Sequence, residues 1–235
     1  MARVAGVAIV VAVVLGGCAA TPPHPSSQPH SSAPSASASP TAATRPALAD
    51  VVVTTHGIGD IRLGQPVPAD EPAIAIVRWD ATACVSEGGL TEGEPYAGLW
   101  VANYPPVDAH DANAFALVTS DGTRDAPVDY VAVRNASAVH TKPGITVGSS
   151  LDALKAAYPS GFAQSAHGQS GADVYVVGDA SGVIAFDVSA PYPDSPSGWA
   201  TSDLDKVIGM NIYVPTPGAQ IMPNFGTTNS GLCPD

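Results

Sequence analysis

Residues 19–49 of this 235-residue chain are not expected to join a hydrophobic core, and this expectation sets where folding is looked for. Of these 31 residues, 26 are Ala, Pro, Ser or Thr, and Leu48 is the only large apolar side chain among them. So little apolar surface does not offset the entropy of ordering the backbone, so the segment is expected to stay disordered. Its seven prolines bias it toward extended polyproline II, at about 3.1 Å per residue. A Ser/Thr/Pro-rich stretch also suits O-glycosylation. His24 and His30 lie in it and read as incidental, not as a metal pair. Folding is left to residues 50–235, about 185 residues and enough for one substantial core.

Ahead of this segment, Arg3 precedes an unbroken run of twelve apolar or small residues, 4–15. A permanent membrane-spanning helix needs roughly 18 or more, so the run suits the core of a signal peptide. It ends in Leu15-Gly16-Gly17-Cys18, which resembles the lipobox of bacterial lipoproteins. The resemblance implies removal of residues 1–17 and a diacylglyceryl thioether on Cys18, with acyl chains such as palmitate. Small residues at 16 and 17 let a peptidase approach the Gly17–Cys18 bond. Two acyl chains are what stable anchoring requires. The expectation is a lipid-anchored protein on the extracytoplasmic face of the cell membrane, with residues 18–49 as its tether.

Charge narrows the partners. The chain has 9 basic and 21 acidic residues, and every acidic residue lies in the body. A formal charge of -12 opposes nucleic-acid binding, which needs clustered Lys and Arg. Outside a cell it reads as a solubilising surface. Three cysteines with no CxxC pair oppose a structural zinc site or a thioredoxin-type redox site. Once Cys18 is acylated, Cys84 and Cys233 remain, and in an oxidising compartment they are expected to pair and staple the C-terminal tail to the body.

The body reads as α+β, mostly antiparallel sheet with one or two short helices. Strand candidates are 99–104, 114–120, 128–133, 173–177, 183–188 and 207–214. Asp121-Gly122 marks a turn, and 178–182 reads as a five-residue hairpin loop. Within 128–133, Val128, Tyr130 and Ala132 alternate against Asp129, Val131 and Val133. One helix is expected: Ser149 or Ser150 caps it, Leu151, Leu154 and Tyr158 share a face, and Pro159 stops it. Residues 66–75 carry Pro66, Pro68 and Pro72 and allow one helical turn at most.

Two stretches share a frame. Ile61, Leu63 and Gly64 match Ile145, Val147 and Gly148 at a constant offset of 84. The body can therefore be read as two copies of a turn–helix–strands unit, 55–138 and 139–215. The run from Gly144 to Pro159 resembles the opening motif of helix-plus-sheet modules in secreted actinobacterial lipoproteins. Tandem copies resemble the β-lactamase inhibitor protein family, whose sheet face binds another protein. The resemblance covers about half of the body, and its motif is structural, so it implies no functional residue. That family closes a small disulfide loop within each repeat. The present sequence does not, which removes the ground for expecting inhibitor activity.

Catalytic motifs are missing from the sequence: there is no GxSxG, HExxH, SxxK, P-loop or GxGxxG. Gly168-Gln169-Ser170-Gly171 lacks the register of a nucleophile elbow. Asp108, His110 and Asp111 are weak metal-ligand candidates, and a polar loop between two strands is the favoured reading of the same residues. Trp79, Trp100 and Trp199 could line a sugar- or peptide-binding groove, although such residues more often anchor a core. Trp100, Tyr192 and Trp199 are the binding candidates, because exposed loops on a rigid sheet carry function. No cofactor is expected. The reading is a non-catalytic binding or scaffold module of the envelope, with a protein or wall component as partner. The alternatives are a hydrolase whose site assembles from distant residues, or a solute- or metal-binding receptor.

Overall fold

The computed structural model describes residues 44–69, 72, 74–85, 89–107, 113–135, 137–164, 171–191, 199–218 and 232–233. Cys18, Asp108, His110, Asp111 and Tyr192 lie outside the described residues. All described residues, from Thr44 on, lie within one compact unit.

Among the described residues there are twelve strands and one α-helix. In chain order they are β1 (Val52–Thr54), β2 (Gly57–Ile58), β3 (Ile61–Arg62), β4 (Val77–Asp80), β5 (Leu99–Ala102), β6 (Phe115–Thr119), β7 (Val128–Val133), β8 (His140–Thr141), α1 (Leu151–Ala157), β9 (Phe162–Gln164), β10 (Ala172–Asp179), β11 (Gly182–Ser189) and β12 (Val207–Tyr213). The chain is α+β and mostly antiparallel, as its pattern suggests. A large eight-stranded sheet runs β4-β5-β6-β7-β12-β11-β10-β9, and a small one runs β3-β2-β1-β8. All pairings are antiparallel except β1 with β8.

Alternation along the strands builds a main core and two smaller clusters, one of them Val174, Val176, Val183 and Ala185 on β10 and β11. Trp100, Phe115, Leu117, Val131, Val133, Ile184, Phe186, Met210 and Ile212 point to the main core, where Val53, Ile58 and Ile61 of the small sheet and Leu154 of α1 meet them. Leu99, Val101, Ala116 and Ala132 face the other way and are covered by Cys84 and Leu232. Every residue of β11 is buried, as expected of a strand covered on both faces.

Several boundaries differ from the sequence pattern for local reasons. In β10–β11 the pairing continues to Asp179↔Gly182, so the expected five-residue loop is a two-residue turn. The Asp179 carboxylate accepts from Ser181 N and Oγ at 2.8 and 2.6 Å, which closes that turn. In β7 the register shifts opposite Val118/Thr119, so Val128 joins Val131 and Val133 in the main core and leaves Tyr130 and Ala132 on the other face. The helix forms as read: Ser150 Oγ accepts from Ala153 N at 3.2 Å, and Leu154 is fully buried.

Gly64 and Gly148 close the same joint. Gly64 N donates to Val128 O and Val128 N to Gln65 O; Gly148 N donates to Val207 O and Val207 N to Ser149 O. Both glycines have positive φ, +72° and +94°, which a residue with a Cβ adopts only at a cost. The large sheet accordingly consists of two four-stranded meanders, β4–β7 and β9–β12, joined where β7 pairs with β12.

A buried polar chain crosses that seam. Arg134 Nη2 donates to Asn211 Oδ1 at 2.6 Å, and Asn211 Nδ2 donates to Asp187 Oδ2 at 2.8 Å. The Tyr130 hydroxyl donates to Asn211 Oδ1, and its ring stacks on Tyr213 with centroids 5.6 Å apart. Burial first, then the neighbouring Tyr130 and Asp187, push the Tyr213 hydroxyl up to about 12.

Candidate binding site

The antiparallel register of β4 and β5 sets Trp79 opposite Trp100. Their rings meet edge to face, with centroids 5.6 Å apart and planes at 68°, a favoured aromatic geometry. Trp79 lies against Gly98. A Cβ there would sit 2.4 Å from the indole, so only glycine lets the ring come down onto the β5 backbone. Trp100 is almost fully buried, its Nε1 donates to Arg124 O at 3.0 Å, and the Arg124 guanidinium lies 5.6 Å from its ring centroid. Trp79 is half-buried and keeps part of its surface open.

These rings stand over a cavity of about 340 Å³. Its apolar wall includes Ile61, Val67, Ile76 and Val77, and Arg78, Asn103, Arg124 and Asp125 bring polar groups to it. Arg78 pairs with Asp80 at 3.2 Å. The outer wall, within residues 67–76, is braced from the start of the body. Arg45 donates through Nε to Ala75 O at 2.8 Å, and through its two terminal nitrogens to Asn103 O and Pro72 O, each at 2.7 Å. Asn103 N donates to Ile76 O at 2.9 Å, and Asn103 Nδ2 donates to Ala75 O at 3.1 Å. The Arg45 guanidinium also stacks 5.7 Å from the Tyr104 ring centroid, and the Tyr104 hydroxyl donates to Pro46 O. The last residues assigned to the tether by composition are therefore structural parts of this site.

The structure separates the three binding candidates. Trp100 lines the cavity. Trp199 does not: its Nε1 donates to Gly171 O at 3.0 Å, ahead of β10 in the other meander. Tyr192 and the metal candidates Asp108, His110 and Asp111 fall outside the described residues, among which no group of His, Cys, Asp and Glu could hold a metal ion. Trp79, Arg78 and Arg124 complete the site. Composition gave no signal for the two arginines, and the pairing of the tryptophans follows only from the β4–β5 register.

Two hydroxyl–carboxylate contacts of the body are local turn contacts. Ser181 bonds Asp179, not an imidazole, and Thr123 treats Asp121 the same way, with Thr123 N and Oγ1 at 2.9 and 2.7 Å from Oδ1. These donated bonds hold both carboxyls below the usual carboxylate range. They are turn closures, not nucleophile–base pairs.

Cys84 and Cys233 form a disulfide with their Cα atoms 5.3 Å apart. Among the described residues no helix is long and apolar enough to cross a membrane. The chain matches no protein-family profile, no curated protein and no solved structure.

Proposed function

We propose that this chain is an extracytoplasmic lipoprotein, acylated at Cys18, whose body is a non-catalytic binding module of the cell envelope. The observation that carries the binding reading is the cavity at Trp79 and Trp100, whose ring positions depend on Gly98 and whose wall is held by Arg45. A surface that merely sheds water has no need of a braced indole pair beside mixed polar groups. Such a concave, part-apolar site with a few convergent polar groups is the usual form of a ligand pocket. The body is further read as two copies of one unit, 55–138 and 139–215. The matched glycine joints at Gly64 and Gly148, together with the two meanders, support that reading.

The anchor and the binding role are tested separately. Mass spectrometry of the protein extracted from its own membranes is expected to find Cys18 as the first residue, carrying diacylglyceryl mass. An intact residue 1–17 segment, or an unacylated Cys18, overturns the anchor. For the binding role, a photo-crosslinking residue is placed in living cells at position 78 or 124 on the cavity rim, and at exposed position 142 as control. The expected result is one common envelope component captured from 78 and 124 and not from 142. Identical products from all three positions, or none from the rim, overturn it.

A further inference from the structure

From the lining of this cavity we infer that its ligand is a neutral sugar, held as one ring of an oligosaccharide. The inference rests on the binding-module reading above and specifies its ligand.

The first argument is where the cavity lies. After Gly148 the chain enters α1, whose Leu154 fills the main core. After Gly64 the matching stretch carries Pro66, Pro68 and Pro72. Proline lacks an amide donor and clashes with the preceding turn, so the sequence does not favour a helix across them. At the offset of 84, Asp70 stands where the second unit has Leu154, and a carboxylate is no substitute for a core leucine. The cavity lies against residues 67–69, 72 and 75–76 of the first unit, where the sequence offers no counterpart to Leu154, and Trp79 and Trp100 line it.

The second argument is the chemistry of the lining. A pyranose or furanose ring presents a patch of C–H groups on one face and hydroxyls around its rim. The half-exposed Trp79 indole offers a flat apolar surface for the first. For the second, Arg78, Arg124 and Asp125 offer planar groups that donate or accept in pairs, which suits adjacent hydroxyls. Charge argues for a neutral ligand: Arg78 is offset by Asp80 and Arg124 stands next to Asp125, so neither sign dominates the rim. About 340 Å³ is at the small end of ligand pockets, which run from about 300 to 1,000 Å³.

The third argument sets aside an extended peptide along the 72–76 wall, and leaves the outer edge of β4, the end strand of the large sheet, to the heptapeptide arm of the test. A peptide bound along the wall would need free backbone groups to pair with. The carbonyls of Pro72, Ala75 and Ile76 already accept from Arg45 and Asn103.

The test uses the full mature chain in detergent, with trisaccharides of N-acetylglucosamine, mannose and arabinose and a proline-containing heptapeptide as probes. Tryptophan fluorescence and saturation-transfer NMR are read together. At least one trisaccharide is expected to shift the fluorescence saturably and to receive saturation on its ring protons. Arg124→Ala and Asp125→Ala are each expected to weaken that binding about tenfold, and Lys142→Ala to leave it unchanged. Residues 124 and 125 are exposed, so these variants keep the fold even if Trp79→Ala does not. No response to any trisaccharide overturns the sugar inference. If the rim still crosslinks to an envelope component, or the heptapeptide binds in their place, the binding module stands without a sugar ligand. If rim crosslinks are also missing, both readings fall.

Discussion

Replacing Cys84 and Cys233 together by serine is expected to lower the stability of the body by about 4–5 kcal/mol. The bridge joins residues 149 apart, a loop that takes in most of the body. Cross-linking so long a loop removes much of the entropy of the unfolded chain, and the gain grows only slowly with loop length, so the estimate depends little on the endpoints. The native state loses contacts as well. Cys84 is fully buried, Leu232 is 8% exposed, and both cover Leu99, Val101, Ala116 and Ala132 on the second face of the large sheet. Without the bridge that cover loses its covalent tie, while the apolar patch beneath it remains. Urea unfolding of the double variant beside the parent, both under oxidising conditions, reads the effect. A fall in midpoint with a steeper dependence on urea is expected, because the unfolded chain is no longer compacted. A loss below about 1 kcal/mol would show that the bridge neither restricts the unfolded chain nor holds the tail in place.

The same bridge shows what the sequence made legible. Once export is assumed, two leftover cysteines are an arithmetic matter, and the pair formed. The strands of the second meander were equally readable: runs such as 173–177 and 183–188 are long, apolar and separated by turn residues. The helix carried its cap, its face and its stop. The short strands of the small sheet, β1, β2, β3 and β8, hold two or three residues each, too few to show a pattern, and β8 is placed by a partner far along the chain, Thr141 opposite Val53. No window of local sequence encodes such a pairing. The site suffered in the same way. Trp79 and Trp100 are 21 positions apart, and only the register of β4 against β5 makes them one surface. Arg45 sat in a stretch whose composition signalled disorder, and its three bonds to backbone carbonyls leave no trace in composition at all.

Asp187→Ala is expected to cost about 3–5 kcal/mol, and to act first at the seam between the two meanders. Asp187 and Asn211 are at most 1% exposed and Arg134 is 4% exposed, so a guanidinium and a carboxylate are held out of water on β11, β12 and the end of β7. Asn211 joins them, accepting from Arg134 and donating to Asp187. Charges buried in this way are tolerated only while each compensates the other, and deleting one leaves the other with its desolvation penalty unrelieved. Asp187→Asn separates the two parts of the effect. It keeps an oxygen to accept from Asn211 and removes only the charge, so a smaller loss is expected. Hydrogen exchange locates the change: amides of β7 and β12 should lose protection before those of β5 or β10, because the seam has no covalent tie of its own and the polar chain spans it. Equal loss in all four strands would mean that the network stabilises the body as a whole without fixing the register of β7 on β12. Seam-first loss would instead make this chain of side chains the device by which two separate four-stranded halves read as one sheet, with the indole cavity near one end of it.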